Sequence, residues 1–190
     1  RLDGEVVDSV GNTPTSVYGS FDWVDGQFGK AAFTNSTSQY FEADTGPLRK
    51  NFSIAFWYRC DAVPNTWTSI ISKLLSDAQN EINFRFNADG TGMQYYCGNG
   101  TSVNMIINFN RLELIPKLGE WVHITLTKEV GGQLRIYGGG KLVRSVNIAN
   151  SLSFDTGLPL RILNHSSNSG TPVGAMHDLR IYDHALSPRE

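Results

Sequence analysis

Apolar and polar residues alternate with a period of two in one short segment of this chain after another. The clearest is Glu81 to Asn87, where Ile82, Phe84 and Phe86 fall on one side and Glu81, Asn83, Arg85 and Asn87 on the other. A strand sends successive side chains to opposite faces, so this pattern predicts a strand with one face in a core. Asn87-Ala88-Asp89-Gly90 has turn chemistry and Met93 to Cys97 resumes strand character, so 81–97 reads as a hairpin. Val122, Ile124 and Leu126 alternate with Trp121, His123, Thr125 and Thr127. Leu134, Ile136 and Gly138 lead into a Gly139-Gly140 turn, and Leu142-Val143 continues beyond it. Phe52 to Tyr58 is apolar on both sides, which predicts a central strand covered on both faces. The last strand is expected at Asp178 to Asp183. Helical spacing is nearly absent, and a single helical turn fits Ser72 to Asp77 or Ala185 to Arg189. Roughly 12 to 14 strands fit, more than an immunoglobulin-type sandwich requires.

Composition narrows the class. With 40% hydrophobic and only 18% charged residues, the chain has material for a full core and is neither disordered nor a coiled coil. A formal net charge of −2 without a Lys/Arg stripe speaks against nucleic acid and against anionic membrane surfaces as partners. No apolar run approaches the roughly 20 residues of a membrane-spanning helix, so membrane insertion is not expected. No repeat or linker divides 1–190, which reads as a single domain. The absence of an initiator Met reads as a piece of a longer chain. Cys60 and Cys97 each end a strand. They form a disulfide if those strands are neighbours in an oxidising compartment, and otherwise serve as two small buried apolar groups.

Six segments stand in order along the chain. They are Asp8, Gly11 and Asn12; Gly26, Gly29, Ala31 and Phe33; Phe52, Ser53, Ile54 and Trp57; Trp121 and His123; Ile136 to Lys141; and Tyr182 followed by Ala185-Leu186-Ser187. Together they resemble the laminin-G-like, concanavalin-A-like lectin/glucanase jelly-roll family over nearly the whole chain. The resemblance implies an all-β, two-sheet antiparallel jelly-roll sandwich acting outside the cell or on a virion surface. There it would be a non-catalytic, lectin-like recognition module for glycan or a protein partner. It equally admits a structural or decoration domain of an assembly, self-associating or attached to a scaffold, with no small-ligand site. A third reading is a glycan-cleaving enzyme. The resemblance also implies a structural Ca²⁺ between the first and last strands, held by hard oxygen ligands from Asp3, with Glu5 and Asp8 nearby, and from Asp178. His177 stands where the family often has a further Asp.

Candidate chemistry separates these readings. A retaining glycosidase needs two carboxylates about 5 Å apart on one face. Glu42-Ala43-Asp44 is the nearest match, but Thr45-Gly46-Pro47 follows, so it reads as a solvated pair at a strand end. Glu81 beside Arg85 offers a lone carboxylate, which binds a hydroxyl but cannot divide acid and base roles. His123, His165, His177 and His184 lack metal spacing. His123 is expected to form hydrogen bonds within the sandwich. No nucleophile elbow, phosphate loop or dinucleotide fingerprint appears. No catalytic residue is therefore assigned. Sugar recognition calls for an aromatic platform with planar polar groups around it. Trp67, Tyr95 and Tyr96 are the candidate rings, and Asn83, Arg85, Asn99 and Asn104 the candidate hydroxyl partners. Trp57 and Trp121 are expected in the interior, with Phe84.

Overall fold

The computed structural model describes residues 15–48, 51–148, 155–166 and 170–188. Among these, fourteen strands build two antiparallel sheets of seven. The first sheet orders β1 (Thr15–Tyr18), β4 (Tyr40–Ala43), β13 (Leu160–Ile162), β6 (Thr68–Leu74), β7 (Asn80–Phe86), β8 (Gly92–Gly98) and β9 (Val103–Asn110). The second orders β12 (Lys141–Asn147), β11 (Gln133–Gly138), β10 (Trp121–Lys128), β5 (Phe52–Cys60), β14 (Gly174–Tyr182), β3 (Lys30–Thr34) and β2 (Asp22–Asp25).

The hairpin read from the period-two pattern is β7 paired with β8, with Phe84 opposite Tyr95 and Phe86 opposite Met93. Ile82, Phe84 and Phe86 lie wholly inside, as do Ile54, Phe56 and Tyr58 of β5 and Ile124 and Leu126 of β10. These side chains fill the space between the sheets and supply the main apolar burial. The β7–β8 turn is closed by Asn87 N donating to the Gly92 carbonyl at 3.0 Å. Gly90 sits there at φ +67, where a Cβ would fall 2.2 Å from Val63 Cγ1, so a residue with a side chain is excluded sterically and conformationally.

Several expectations are corrected. Ser72 to Asp77 is no helix: Ser72 to Leu74 complete β6, whose neighbours in the sheet hold it extended. The region from Ala185 to Pro188 is likewise not helical. The helical turn is α1 (Arg111–Leu114), started by Asn110, whose side chain accepts from Leu112 N while Glu113 reaches back to Asn110 N. Cys60 and Cys97 belong to different sheets and are free, buried thiols. Burial raises both above the ordinary thiol value, Cys97 to about 11. Trp121 and Trp57 do not fill the core. They lie half-buried on the outer face of the second sheet, which leaves β5 less covered on that side than its apolar pattern suggests.

Glu81 departs from its alternation for a local reason. Lys73 pairs with Ile82 but Leu74 pairs with Asn80, so Glu81 is the extra residue of a β-bulge. The bulge removes it from the face of Asn83 and Arg85 and turns it inward, where its charge reaches Tyr95 in the core and Lys128 on the opposite sheet. Its carboxylate lies 3.4 Å from Lys73 Nζ, both side chains being buried. It accepts from Leu48 N at 2.5 Å and from Thr156 N and Oγ1 at 2.9 and 2.7 Å. Lys73 Nζ also donates to the Gly46 carbonyl. The pair thereby ties the 44–48 and 155–158 segments to the sheet, and each charge is compensated as burial demands.

Candidate recognition face

The outer face of the first sheet follows from its registers. Residues directly opposed in antiparallel strands project to one side. The chain of pairings Ser16, Glu42, Arg161, Ser72, Asn83, Tyr96 and Ile106 therefore runs as one row from β1 to β9. A parallel row joins Ser69, Arg85, Gln94 and Asn108. Polar and aromatic groups dominate both.

Arg85 is the centre of one cluster. Its guanidinium carbon lies 4.1 Å from the Trp67 ring centroid and 4.3 Å from that of Tyr96, a cation held between two π faces. Its Nε donates to Gln94 Oε1 at 3.1 Å, and Gln94 Nε2 donates to Asn108 Oδ1 at 2.6 Å. Below it, Ser69 Oγ donates to Asn83 Oδ1 at 2.7 Å, Asn83 Nδ2 donates to Tyr96 Oη at 3.4 Å, and Tyr96 donates to Asp77 Oδ1 at 2.6 Å. Burial, aided by that bond to Asp77, pushes the Tyr96 hydroxyl up to about 12, so it remains a donor at any physiological pH. Trp67 keeps 39% of its surface exposed. Gly170 permits its placement, because a Cβ there would fall 2.2 Å from the Trp67 carbonyl oxygen.

A second cluster stands across the same face. Tyr18 stacks on Tyr40 with centroids 4.4 Å apart and planes 15° from parallel. Arg161 lies 4.1 Å from the Tyr40 ring, and its Nε and Nη2 both donate to Glu42 Oε1, at 3.1 and 2.6 Å. Its Nη1 donates to the His165 and Ser166 carbonyls at 3.2 and 3.0 Å, fixing the turn between the clusters. Burial, then the positive charge of Arg85, lowers His165 below the ordinary histidine value, so the ring is neutral at neutral pH.

Of the residues singled out in the sequence, Trp67, Asn83, Arg85 and Tyr96 come together here, with Trp67 and Arg85 accessible and Asn83 and Tyr96 buried beneath them. Tyr95 does not: it points into the core and is fully buried. Asn99 serves its own turn, accepting from Thr101 N and Ser102 N at 3.0 and 2.9 Å. Asn104 lies on β9, and its side chain is outside the described set. The pattern did not single out Tyr40, Arg161, Gln94, Asn108 or Asp77 as ligand groups. Arg161 in particular reaches the face through strand order alone.

The carboxylates here have partners. Glu42 serves Arg161, and Asp44 leaves the strand to accept from Gly46 N at 3.2 Å, so the two do not form a pair on one face. Asp178 sits at a bulge with φ +50, its two oxygens taken by Arg180 at 3.1 and 2.9 Å. Asp3 lies outside the described residues. Among the described residues no three His, Cys, Asp or Glu side chains converge as a metal site.

The outer face of the second sheet differs. His177, Trp57 and His123 oppose one another across β14, β5 and β10. Phe28 adds an exposed ring 5.9 Å from Trp57, and Trp121 lies 5.4 Å from His177. His177 Nε2 accepts from Gln27 N at 3.2 Å. His123, half-buried on this outer face, packs 5.2 Å from Trp57 and has its Nδ1 3.5 Å from Thr125 Oγ1; burial lowers it below the ordinary histidine value. Among the described residues no helix is long and apolar enough to cross a membrane.

Solved structures of similar shape include botulinum neurotoxin binding domains. The botulinum neurotoxin type G receptor-binding domain superposes with a TM-score of 0.75 at 20% identity, covering 98% of this chain and 47% of that one. The botulinum neurotoxin serotype D ligand-binding domain, solved with N-acetylneuraminic acid, gives 0.74 at 15% identity, covering 96% and 46%. The botulinum neurotoxin DC binding domain, in complex with rat synaptotagmin II, gives 0.69 at 14% identity, covering 94% and 45%. This chain thus spans less than half the length of each. No curated protein matches it. The model of the concanavalin A-like lectin/glucanases superfamily matches residues 33–190, and with the two seven-stranded sheets in place, the chain belongs to that superfamily.

Proposed function

We propose that this chain is a lectin-like recognition module, displayed outside the cell or on a particle surface, that binds glycan on the outer face of its first sheet. The observation that carries the reading is the Arg85 guanidinium held between Trp67 and Tyr96, with Gln94 and Asn108 beside it. An aromatic ring offers an apolar platform for the C–H face of a pyranose, while fixed donors and acceptors meet its hydroxyls. The similar toxin domains, solved with a sialic acid or a protein receptor, support the broad class of recognition, although the chain covers under half of each. The carboxylates engaged by Arg161 and Tyr96 suit binding better than acid–base turnover.

A glycan array on the wild-type chain and on Trp67→Ala and Arg85→Ala tests the reading. Saturable binding that falls in both variants at unchanged melting temperature supports it. Binding unaffected by either, or none at all, overturns it.

The aromatic outer face of the second sheet favours a second reading, a partner-bound domain of an assembly. Self-association or tight scaffold attachment seen by size exclusion with light scattering, lost in Phe28→Ala, would favour that role. The structural calcium ion implied by the resemblance is also a proposal. A fall in Tm on adding a chelator supports it, and an unchanged Tm removes it.

A further inference from the structure

We propose that Tyr18, Tyr40, Glu42 and Arg161 form a second sugar subsite, and that the ligand is an uncharged oligosaccharide long enough to lie across both clusters. The inference rests on the reading above.

The two clusters repeat one composition. Each stacks a guanidinium on aromatic rings, exposes one ring (Trp67 or Tyr18, each 39% exposed) and holds one carboxylate in a hydrogen bond (Asp77 or Glu42). A core-packing need explains neither, because both stand on the outer face of the sheet. Three strand spacings separate Tyr40 on β4 from Arg85 on β7, about 14 Å, and Tyr18 on β1 lies one spacing further, at about 19 Å. A single sugar cannot touch both rings over that span. Between the clusters the surface is carried by the half-buried His165 and Ser166, whose polar turn covers the buried Ser72: Ser72 Oγ lies 3.0 Å from the Asn164 carbonyl and 3.0 Å from Ser166 Oγ.

Charge selects the ligand class. Arg85 and Arg161 are matched on this face by Asp77 and Glu42, and His165 is neutral. A polyanionic chain such as a heavily sulfated glycan would meet two carboxylates for two guanidinium groups and gain little from the field. Carboxylates and guanidinium groups together are acceptors and donors for hydroxyls, which a neutral oligosaccharide presents along its whole length.

The test is titration calorimetry of the chain with neutral oligosaccharides graded from mono- to octasaccharide, with heparin oligosaccharides of matched length as the charged counterpart. Affinity is expected to rise with length and level off once the chain reaches Tyr18. Tyr18→Ala is expected to weaken the longer oligosaccharides about tenfold while leaving mono- and disaccharides unchanged. Tyr18→Phe, which keeps the stack and drops the hydroxyl beside Glu42, guards against a folding defect and should retain most of the length dependence. Affinity independent of length, or untouched by Tyr18→Ala, overturns the second subsite while a loss in Trp67→Ala leaves the first reading standing. Heparin oligosaccharides binding more tightly than every neutral one overturn the ligand class. No saccharide binding at any length overturns both readings.

Discussion

Glu81 and Arg85 lie four residues apart on one strand, carry opposite charges and end in opposite environments. A bulge turns Glu81 inward, where Lys73 and three hydrogen-bond donors compensate it out of reach of water. Arg85 stays on the outer face, stacked between rings, with a neutral amide as its hydrogen-bond partner. A buried charge is costly to leave unpaired, so Glu81 belongs to stability. A partly exposed cation between rings can exchange water for a ligand, so Arg85 belongs to recognition.

Removing the buried member should have the largest effect. Glu81→Ala leaves Lys73 uncompensated and frees the 44–48 and 155–158 segments, with an expected loss of about 3–5 kcal/mol in urea unfolding. Lys73→Met combined with Glu81→Leu should recover only part of that loss, because it removes the unpaired charge but leaves Leu48 N and Thr156 N and Oγ1 without their acceptor. A loss well under 1 kcal/mol for Glu81→Ala would erase the distinction between the two charges. Arg85→Ala should invert the pattern, with stability nearly unchanged and glycan affinity reduced about tenfold or more. If Arg85→Ala instead lowers the melting temperature as Glu81→Ala does, the outer cluster is structural. Trp57→Ala on the other sheet should leave glycan binding unchanged.

The smallest expected effect is on pH dependence. Burial disfavours the charged form of His165, placing it below the usual 6.5. The unfolded chain then takes up the proton more readily than the native one. Stability is fully present above 6.5 and declines as pH falls from there toward the lower native value. His165→Gln should flatten that part of the melting profile, and a profile identical to wild type would remove His165 as its source.

The sandwich was legible because its strands alternate cleanly. Ile82, Phe84 and Phe86 could only face a core, and the Asn87 to Gly90 turn could only close a hairpin. The bulge was not legible, since one extra residue opposite Lys73 and Leu74 leaves no mark in the hydrophobic pattern. Trp121 was expected inside because of its size, yet it shares its side of β10 with His123, Thr125 and Thr127, and the alternation with Val122, Ile124 and Leu126 places that side outward. Half of the outer face was readable from β7 and β8, where Arg85 and Tyr96 are near neighbours. Tyr40 and Arg161 join it through β4 and β13, whose adjacency depends on the global topology and no local spacing announces it.

The central claim is that ligand meets the outer face of the first sheet. The tryptophan indole N–H signals of the ¹⁵N-labelled chain report it directly during titration with the tightest neutral oligosaccharide. The account predicts that the Trp67 signal moves while those of Trp57 and Trp121 stay in place. Movement of Trp57 or Trp121 with Trp67 unchanged would contradict it.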